Sequence, residues 1–291
     1  MDRKISDLYD EYLHTPMGRR VFMQRLTALA GSATAASATL ALLEVDTAEA
    51  AQVAEDDPAI QASMVTYPGA TGPIKAYKVR PAGSGKLPAV IVLHANRGLW
   101  PHFRDVARKV ALGGYLVIAP DMVSPAGGTP AGDNSRSPEG DAALEKLAGI
   151  AASDIQANLV AAVKFLKTHA ESTGKVGAVG FCWGGGHVLS LAISAPDLDA
   201  GVAYYGSQPQ EGFEKINAPL LLHYAADDRR LVQGIPNFVE QMEANKKTYE
   251  LYIYPGTRHA FNQDNRPDRY DVEAAYLAWS RTLDFFRTHL A

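Results

Sequence analysis

The chain has 291 residues, of which 47% are hydrophobic and 21% charged, a composition typical of a globular protein with a sizeable core. Its formal net charge is −4, and no basic stripe follows the first 25 residues, which argues against nucleic acid as a partner. A single cysteine excludes an intramolecular disulfide and a CxxC metal site, and neither a metal nor another cofactor is expected.

The first 57 residues predict an N-terminal leader, which leaves residues 58–291 as the main domain. Arg19-Arg20 precedes an uncharged stretch over 26–43, and Ala48-Glu49-Ala50 has the small-x-small pattern of a cleavage site. The paired arginines resemble a twin-arginine export signal, which predicts a periplasmic or secreted protein without stable membrane association after processing. The alternatives are a cytoplasmic protein whose amphipathic leader helix covers part of the domain, or a vestigial signal that stays attached.

Past the leader, apolar runs that predict strands alternate with stretches of helical periodicity. Residues 62–80 predict an antiparallel hairpin, because Gly69 and Gly72 separate two short runs. Buried strands are predicted at 88–94, 115–119, 175–181, 200–205, 219–224 and 249–254. Helices are predicted around 106–112, 155–166, 235–246 and 272–290, and the Gly/Pro/Ser-rich loop 124–140 is long enough for an active-site rim or lid.

This alternation predicts a doubly wound, mostly parallel sheet with helices on both faces. Ligands bind such sheets beyond the carboxyl ends of the strands. The loops at Ala95, Cys182, Asp228 and His259 should all emerge at that edge. A site assembled from these four loops is therefore expected.

The stretch 175–186, KVGAVGFCWGGG, has the spacing of a nucleophile elbow, with sulfur where serine is usual. Glycine on both sides lets neighbouring backbone pass close to a sharp turn between a strand and a helix. The positive end of the following helix is expected to lower the pKa of the Cys182 thiol. The alternative is an inert cysteine in the core.

A nucleophile needs a base and a group that orients the base. His259 follows a strand and a Pro-Gly turn late in the chain, and Asp228 follows another strand directly. Asp227 competes for the orienting role, and spacing barely separates the two carboxylates. The order nucleophile, acid, histidine is that of α/β hydrolases.

Other polar and aromatic residues give weaker signals. His94 and His223 end buried strands and are expected to satisfy backbone groups, whereas His187 is expected to support packing beneath the site. Aromatic residues are expected to wall a substrate pocket; they are Trp100, Trp183, Tyr204 and Tyr205.

Several stretches resemble the dienelactone hydrolase family, a carboxymethylenebutenolidase-like cysteine branch of the α/β hydrolases. They include HANRGLWPHFRDVARKVALGGYLVIAPD, GKVGAVGFCWGGG, LLLHYAADDRR and YELYIYPGTRHAFNQD, and the likeness runs from about residue 60 to the end. The resemblance implies an α/β-hydrolase fold with Cys182 as nucleophile, His259 as base and Asp228 as its orienting acid. It also implies an oxyanion hole made by the backbone N–H groups of Trp183 and Asn96.

Two positions depart from the family pattern. Relatives with this HxNRGL loop usually carry, at the position of Ala95, a glutamate that is thought to take the thiol proton. Without it, His259 and the helix end must activate Cys182. Residues 260–263 also lack the basic residue that binds the carboxylate of dienelactone, so a different ester or lactone is open as the substrate.

The leading hypothesis is a carboxylic ester or lactone hydrolase that acts through a thioester acyl-enzyme on small-molecule substrates, as a monomer or homodimer. The first alternative is a thiol-reactive, redox-responsive protein with little turnover, because Ala95 replaces the glutamate. The second is an inactive binding module that uses only the pocket, to which Ala95, Trp100 and Tyr205 are assigned.

Overall fold

The structure is a computed structural model that describes residues 4, 5, 8, 19–32, 36, 53–132 and 135–291. The cleavage pattern at 48–50 lies outside these residues. In the part of the chain that is described, no helix combines the length and apolar character needed to cross a membrane. The export prediction therefore rests on the sequence alone.

One sheet of eight strands forms the core, in the order β1-β2-β4-β3-β5-β6-β7-β8. The strands are β1 (Ile60–Gly69), β2 (Gly72–Pro81), β3 (Leu87–Leu93), β4 (Leu116–Pro120), β5 (Ser172–Phe181), β6 (Ala200–Tyr204), β7 (Leu220–Ala225) and β8 (Tyr249–Tyr254). β1 and β2 form the predicted hairpin, β2 pairs antiparallel with β4, and all other pairs are parallel. The prediction of a mostly parallel sheet is confirmed.

The described helices are α1 (Arg19–Ala30), α2 (Pro101–Leu112), α3 (Pro138–Ala148), α4 (Ala152–Thr168), α5 (Trp183–Ser194), α6 (Arg229–Val232), α7 (Ile235–Ala244) and α8 (Val272–Leu290). Every residue of β4, β6 and β7 is buried, because helices cover both faces of the sheet. α4 and α5 pack against each other, while α2 and α8 line a common cavity.

Sequence reasoning missed α3, which begins inside the predicted loop 124–140. The Ser137 hydroxyl accepts a hydrogen bond from the Gly140 N–H, and Pro138 occupies the first helical position. Both features are typical helix starts, so the loop is shorter than its composition indicated.

The leader contacts the main domain at two places. Phe22 and Leu26 of α1 are fully buried in a cluster that includes Tyr276 of α8. The peptide of Val53 is held on α2, where Asp105 accepts its N–H and Arg108 donates to its carbonyl oxygen.

Candidate active site

Cys182 lies at the turn between β5 and α5, with φ 56° and ψ −113°. Positive φ is unusual for a residue other than glycine and costs about 1–3 kcal/mol, so the surrounding structure must hold it. Of the four such residues in the described chain, three belong to this region: Cys182, Tyr205 and Ala260. Strained backbone concentrated at one place is typical of a functional site.

Glycines around the turn allow backbone segments to approach one another closely. A Cβ on Gly184 would lie 2.5 Å from the carbonyl oxygen of His94 and 2.6 Å from that of Leu93. A Cβ on Gly185 would lie 2.6 Å from the carbonyl oxygen of Tyr204. The start of α5 can therefore press against the ends of β3 and β6 only with glycine at these positions.

The predicted base and its orienting acid form a direct pair. His259 Nδ1 lies 2.5 Å from Asp228 Oδ2, and these residues follow β8 and β7 respectively. Asp227 is exposed, and its backbone N–H donates to the carbonyl of Thr257. The geometry thus separates the two carboxylates that spacing could not: Asp228 contacts the imidazole.

Tyr205 connects this pair to the elbow. Its ring lies 4.7 Å from the His259 ring, centroid to centroid, and it shares a cavity with Cys182. Its hydroxyl donates to the side-chain oxygen of Asn262, three residues after the histidine. Arg269 adds a hydrogen bond of 3.1 Å to the carbonyl of His259. The loop that bears the imidazole is therefore held from two sides.

A cavity of about 420 Å³ opens beside the sulfur. Its lining residues are Asn96, Cys182, Trp183, Gly186, His187, Ser190, Tyr205, Ser207, Gln208, Pro209 and Arg230. The structure thus brings together four residues assigned from the sequence to the nucleophile, the oxyanion hole and the pocket. The volume suits a small molecule.

Three aromatic or small residues predicted at the pocket do not line this cavity. Trp100 is only 2% exposed, and its indole N–H donates to the carbonyl of Arg97. Tyr204 is fully buried, with its hydroxyl against Thr282. Ala95 is partly buried against the core cluster. The prediction that Trp100, Tyr204 and Ala95 line the pocket is therefore not met by this cavity. Trp183 and Tyr205 do line it.

The two residues predicted to supply the oxyanion donors, Trp183 and Asn96, both line this cavity. The N–H of Trp183 points to the Cys182 sulfur, and the N–H of Asn96 makes no hydrogen bond to any described residue. His94 braces the loop beneath: its Nε2 accepts the Met122 N–H, and its ring stacks on Trp183 with centroids 5.6 Å apart. His94 thus satisfies backbone groups, as predicted.

Burial controls the charge of the thiol and the imidazole. It raises the pKa of Cys182 above its ordinary value, although the Trp183 N–H and the Arg230 charge act in the opposite direction. Burial also lowers the pKa of His259 below 6.5, against the opposing effect of Asp228. The N–H at the helix start lowers the thiol pKa as expected, but burial outweighs it, so the thiol and the imidazole are both neutral near pH 7.

Two cavity residues were not assigned to the substrate from the sequence. Arg230 is exposed and lines the cavity, and it makes no ion pair with a described residue. The sequence signal for a place near the site was its position two residues after Asp228. His187 lines the cavity too, and burial lowers its pKa to about 4, so it is neutral there.

Comparison with known proteins shows the family of the chain. The profile of the dienelactone hydrolase family matches residues 74–290, well over half of the chain. The chain belongs to the dienelactone hydrolase family. It is accordingly a hydrolase of carboxylic esters or lactones in the α/β-hydrolase superfamily.

Named relatives of this hydrolase cover most of its length. A Methylorubrum extorquens protein, proposed by its name to be a carboxymethylenebutenolidase, is 31% identical over 88% of this chain and 91% of its own. A Bradyrhizobium protein, proposed by its name to be a 2-oxo-3-(5-oxofuran-2-ylidene)propanoate lactonase, is 33% identical. The match covers 74% of this chain and 89% of the relative. A solved structure from Klebsiella pneumoniae is named as a proposed dienelactone hydrolase. It is 29% identical, with a TM-score of 0.69, and the match covers 79% of this chain and 99% of that one.

The close contact between Gly184 and the carbonyl oxygens of Leu93 and His94 allows the packing of the elbow to be tested. Gly184→Ala should lower the free energy of unfolding by about 1–3 kcal/mol, because the new methyl group meets fixed backbone carbonyls. Gly186→Ala is the matched control, since its Cβ would lie 3.4 Å from Ser207 and alanine favours the helix. Urea unfolding followed by tryptophan fluorescence measures both, and equal stabilities would contradict the packing argument.

Proposed function

We propose that this hydrolase opens esters or lactones through a thioester on Cys182, with His259 as the base and Asp228 as its orienting acid. The observation that supports the proposal is the His259–Asp228 pair, whose imidazole contacts Tyr205, a residue that lines the same cavity as Cys182. The carboxylate accepts Nδ1–H, which leaves Nε2 as the basic nitrogen and stabilises the imidazolium once it forms.

Acylation starts from two neutral groups. The thiol proton passes to His259 Nε2 as sulfur bonds to the carbonyl carbon, and the carbonyl electron pair moves onto oxygen. The N–H groups of Asn96 and Trp183 are the donors for that oxyanion. Collapse of the tetrahedral intermediate breaks the carbon–oxygen bond, and the leaving alkoxide takes the proton from the imidazolium. In a lactone, the released hydroxyl stays attached to the acyl chain.

Deacylation repeats the sequence with water. His259 takes a proton from water as the oxygen bonds to the thioester carbon, and the tetrahedral intermediate then expels the thiolate. The imidazolium returns its proton to sulfur, and the carboxylic acid leaves. Because residue 95 is alanine, no glutamate competes for the thiol proton, and His259 alone must serve both half-reactions.

Arg230 is the charged side chain of the described cavity lining, and we assign it to a negatively charged group of the substrate. Its guanidinium lines the same cavity as Cys182, and its charge lowers the pKa of both the thiol and the imidazole. A guanidinium binds a carboxylate through two parallel N–H donors. It stands in a different loop from the basic position that residues 260–263 lack. The lactonase named for the Bradyrhizobium relative also acts on a carboxylate-bearing lactone.

A redox-responsive role for Cys182 is less favoured. Oxidation requires the thiolate, and burial raises the pKa of this thiol. A neutral, partly buried thiol suits a nucleophile that is deprotonated only when substrate is present.

Burst kinetics with p-nitrophenyl acetate test the function. The wild-type protein should release one equivalent of p-nitrophenol rapidly, and Cys182→Ala should abolish both the burst and turnover. His259→Ala should lower the steady-state rate by about 10²–10⁴-fold, as expected for loss of a general base. Undiminished turnover by Cys182→Ala would contradict the proposal, and peroxide sensitivity without ester turnover would select the redox role.

The charge of Arg230 generates a separate prediction. Arg230→Gln should raise KM about tenfold for a carboxylate-bearing lactone, as expected for loss of a charge-assisted hydrogen bond, and leave KM for a neutral lactone of equal size unchanged. It should also raise the pKa of His259, so activity is lost at a higher pH on the acid side. Arg229→Gln is the matched control, because Arg229 is exposed and lies outside the cavity. Equal changes for both lactones would remove Arg230 from substrate recognition.

A further inference from the structure

His187 of α5 lines the same cavity as the nucleophile, and the proposed reaction does not use its imidazole. The ring lies 4.1 Å from the ring of Trp183, centroid to centroid. Burial lowers the pKa of His187 to about 4, so the imidazole is neutral near pH 7 and one of its two nitrogens carries no proton. Which nitrogen lacks the proton decides what the imidazole can bind.

A chain of hydrogen bonds between α4 and α5 fixes the position of the proton. The Ser194 hydroxyl donates to the carbonyl of Ser190 at 3.0 Å, so the hydroxyl oxygen is left to accept. It accepts the side-chain N–H of Gln156 at 2.7 Å, which directs the amide oxygen of Gln156 to His187 Nδ1, 3.4 Å away. Because an amide oxygen can only accept, Nδ1 carries the proton and Nε2 does not.

Nε2 is therefore the nitrogen that His187 can offer to a molecule in the cavity. It makes no hydrogen bond to any residue that the structure describes. A neutral imidazole nitrogen without a proton accepts a hydrogen bond. A substrate group that donates a hydrogen bond would gain a partner at Nε2, whereas a methyl group or an ether oxygen would not.

Ser207 supplies a donor close to His187. Its side chain lines the same cavity, and a Cβ on Gly186, the residue before His187, would lie 3.8 Å from the Ser207 Cβ. Within the described part of the chain, the Ser207 hydroxyl has no hydrogen-bond partner. A serine hydroxyl rotates to suit its acceptor, so Ser207 can donate to an oxygen that itself donates to His187.

We propose that His187 is a specificity-determining residue that accepts a hydrogen bond from a hydroxyl group of the ester or lactone, with Ser207 donating to the same hydroxyl. A hydroxyl is favoured over an amide N–H, because a hydroxyl can donate and accept at once and an N–H can only donate. The proposal rests on the proposed function, since the hydroxyl belongs to the molecule that acylates Cys182. It concerns a different substrate group from the negative one assigned to Arg230.

Two other roles fit His187 less well. Packing against Trp183 requires only a flat ring and would not need a partner on Nδ1. A second general base would need a carboxylate to stabilise the imidazolium, as Asp228 does for His259. His187 instead faces the neutral amide of Gln156, and its pKa of about 4 makes it a weak base.

Lactones that differ at a single group test the proposal. α-Hydroxy- and β-hydroxy-γ-butyrolactone are each compared with the methyl analogue, and because all are neutral, the charge of Arg230 does not affect the comparison. The wild-type protein should have a higher kcat/KM for at least one hydroxy lactone than for its methyl analogue. His187→Phe, which keeps a flat ring without an acceptor, should lower this ratio about tenfold, as expected for loss of one hydrogen bond. His187→Gln, whose amide oxygen can accept, should restore part of the ratio.

The ratio separates recognition from packing. A packing defect would lower kcat/KM for the hydroxy and methyl lactones alike, and an unchanged ratio in His187→Phe would overturn the proposal. A wild-type protein that shows the p-nitrophenol burst but prefers neither hydroxy lactone would also overturn it, while the proposed function would stand. A wild-type protein without the burst would contradict the proposed function itself.

The position of the proton on His187 can be measured without a substrate. In protein labelled with ¹⁵N-histidine, and with His187→Phe used for assignment, the chemical shifts near pH 7 should show a protonated Nδ1 and an unprotonated Nε2. Gln156→Leu should remove this preference for one tautomer. Gln233→Leu is the matched control, because Gln233 is exposed and lies outside the cavity. A proton on Nε2 in the wild-type protein would make His187 a donor and overturn the proposal.

Discussion

The backbone conformation of Cys182 is the constraint on which the site depends. A positive φ at a residue with a side chain turns the chain sharply from β5 into α5 and presents the sulfur at the carboxyl edge of the sheet. The strain is tolerated because glycines let α5 press against the carbonyls that end β3 and β6. The loops after β7 and β8 then need only reach this same edge to bring Asp228 and His259 to it.

Burial and the helix end act on the sulfur in opposite directions, and burial has the larger effect. The thiol is therefore protonated near pH 7, and the imidazole of His259 is neutral there as well. A preformed thiolate–imidazolium pair would instead leave the sulfur open to oxidants.

Much of the fold could be predicted from local sequence because buried parallel strands are continuous apolar runs, as in β3 and β4. The elbow was predictable because its glycine spacing reflects a local backbone demand. The direction of the Cys182 pKa shift was not, since it depends on burial by distant elements. Arg230 and Trp100 show the same limit: whether a side chain lines a cavity is decided by the packing of several loops. Only the fold could separate Asp228 from Asp227.

Alkylation of Cys182 by iodoacetamide as a function of pH tests the account most directly. The reagent reacts with the thiolate, so its rate reports how much of the sulfur is ionised. Because burial raises the pKa of Cys182, the rate should rise with pH through an apparent pKa above that of an ordinary cysteine and stay low near pH 6. A rate that is high and constant between about pH 5 and 8 would show a resting thiolate–imidazolium pair and contradict it.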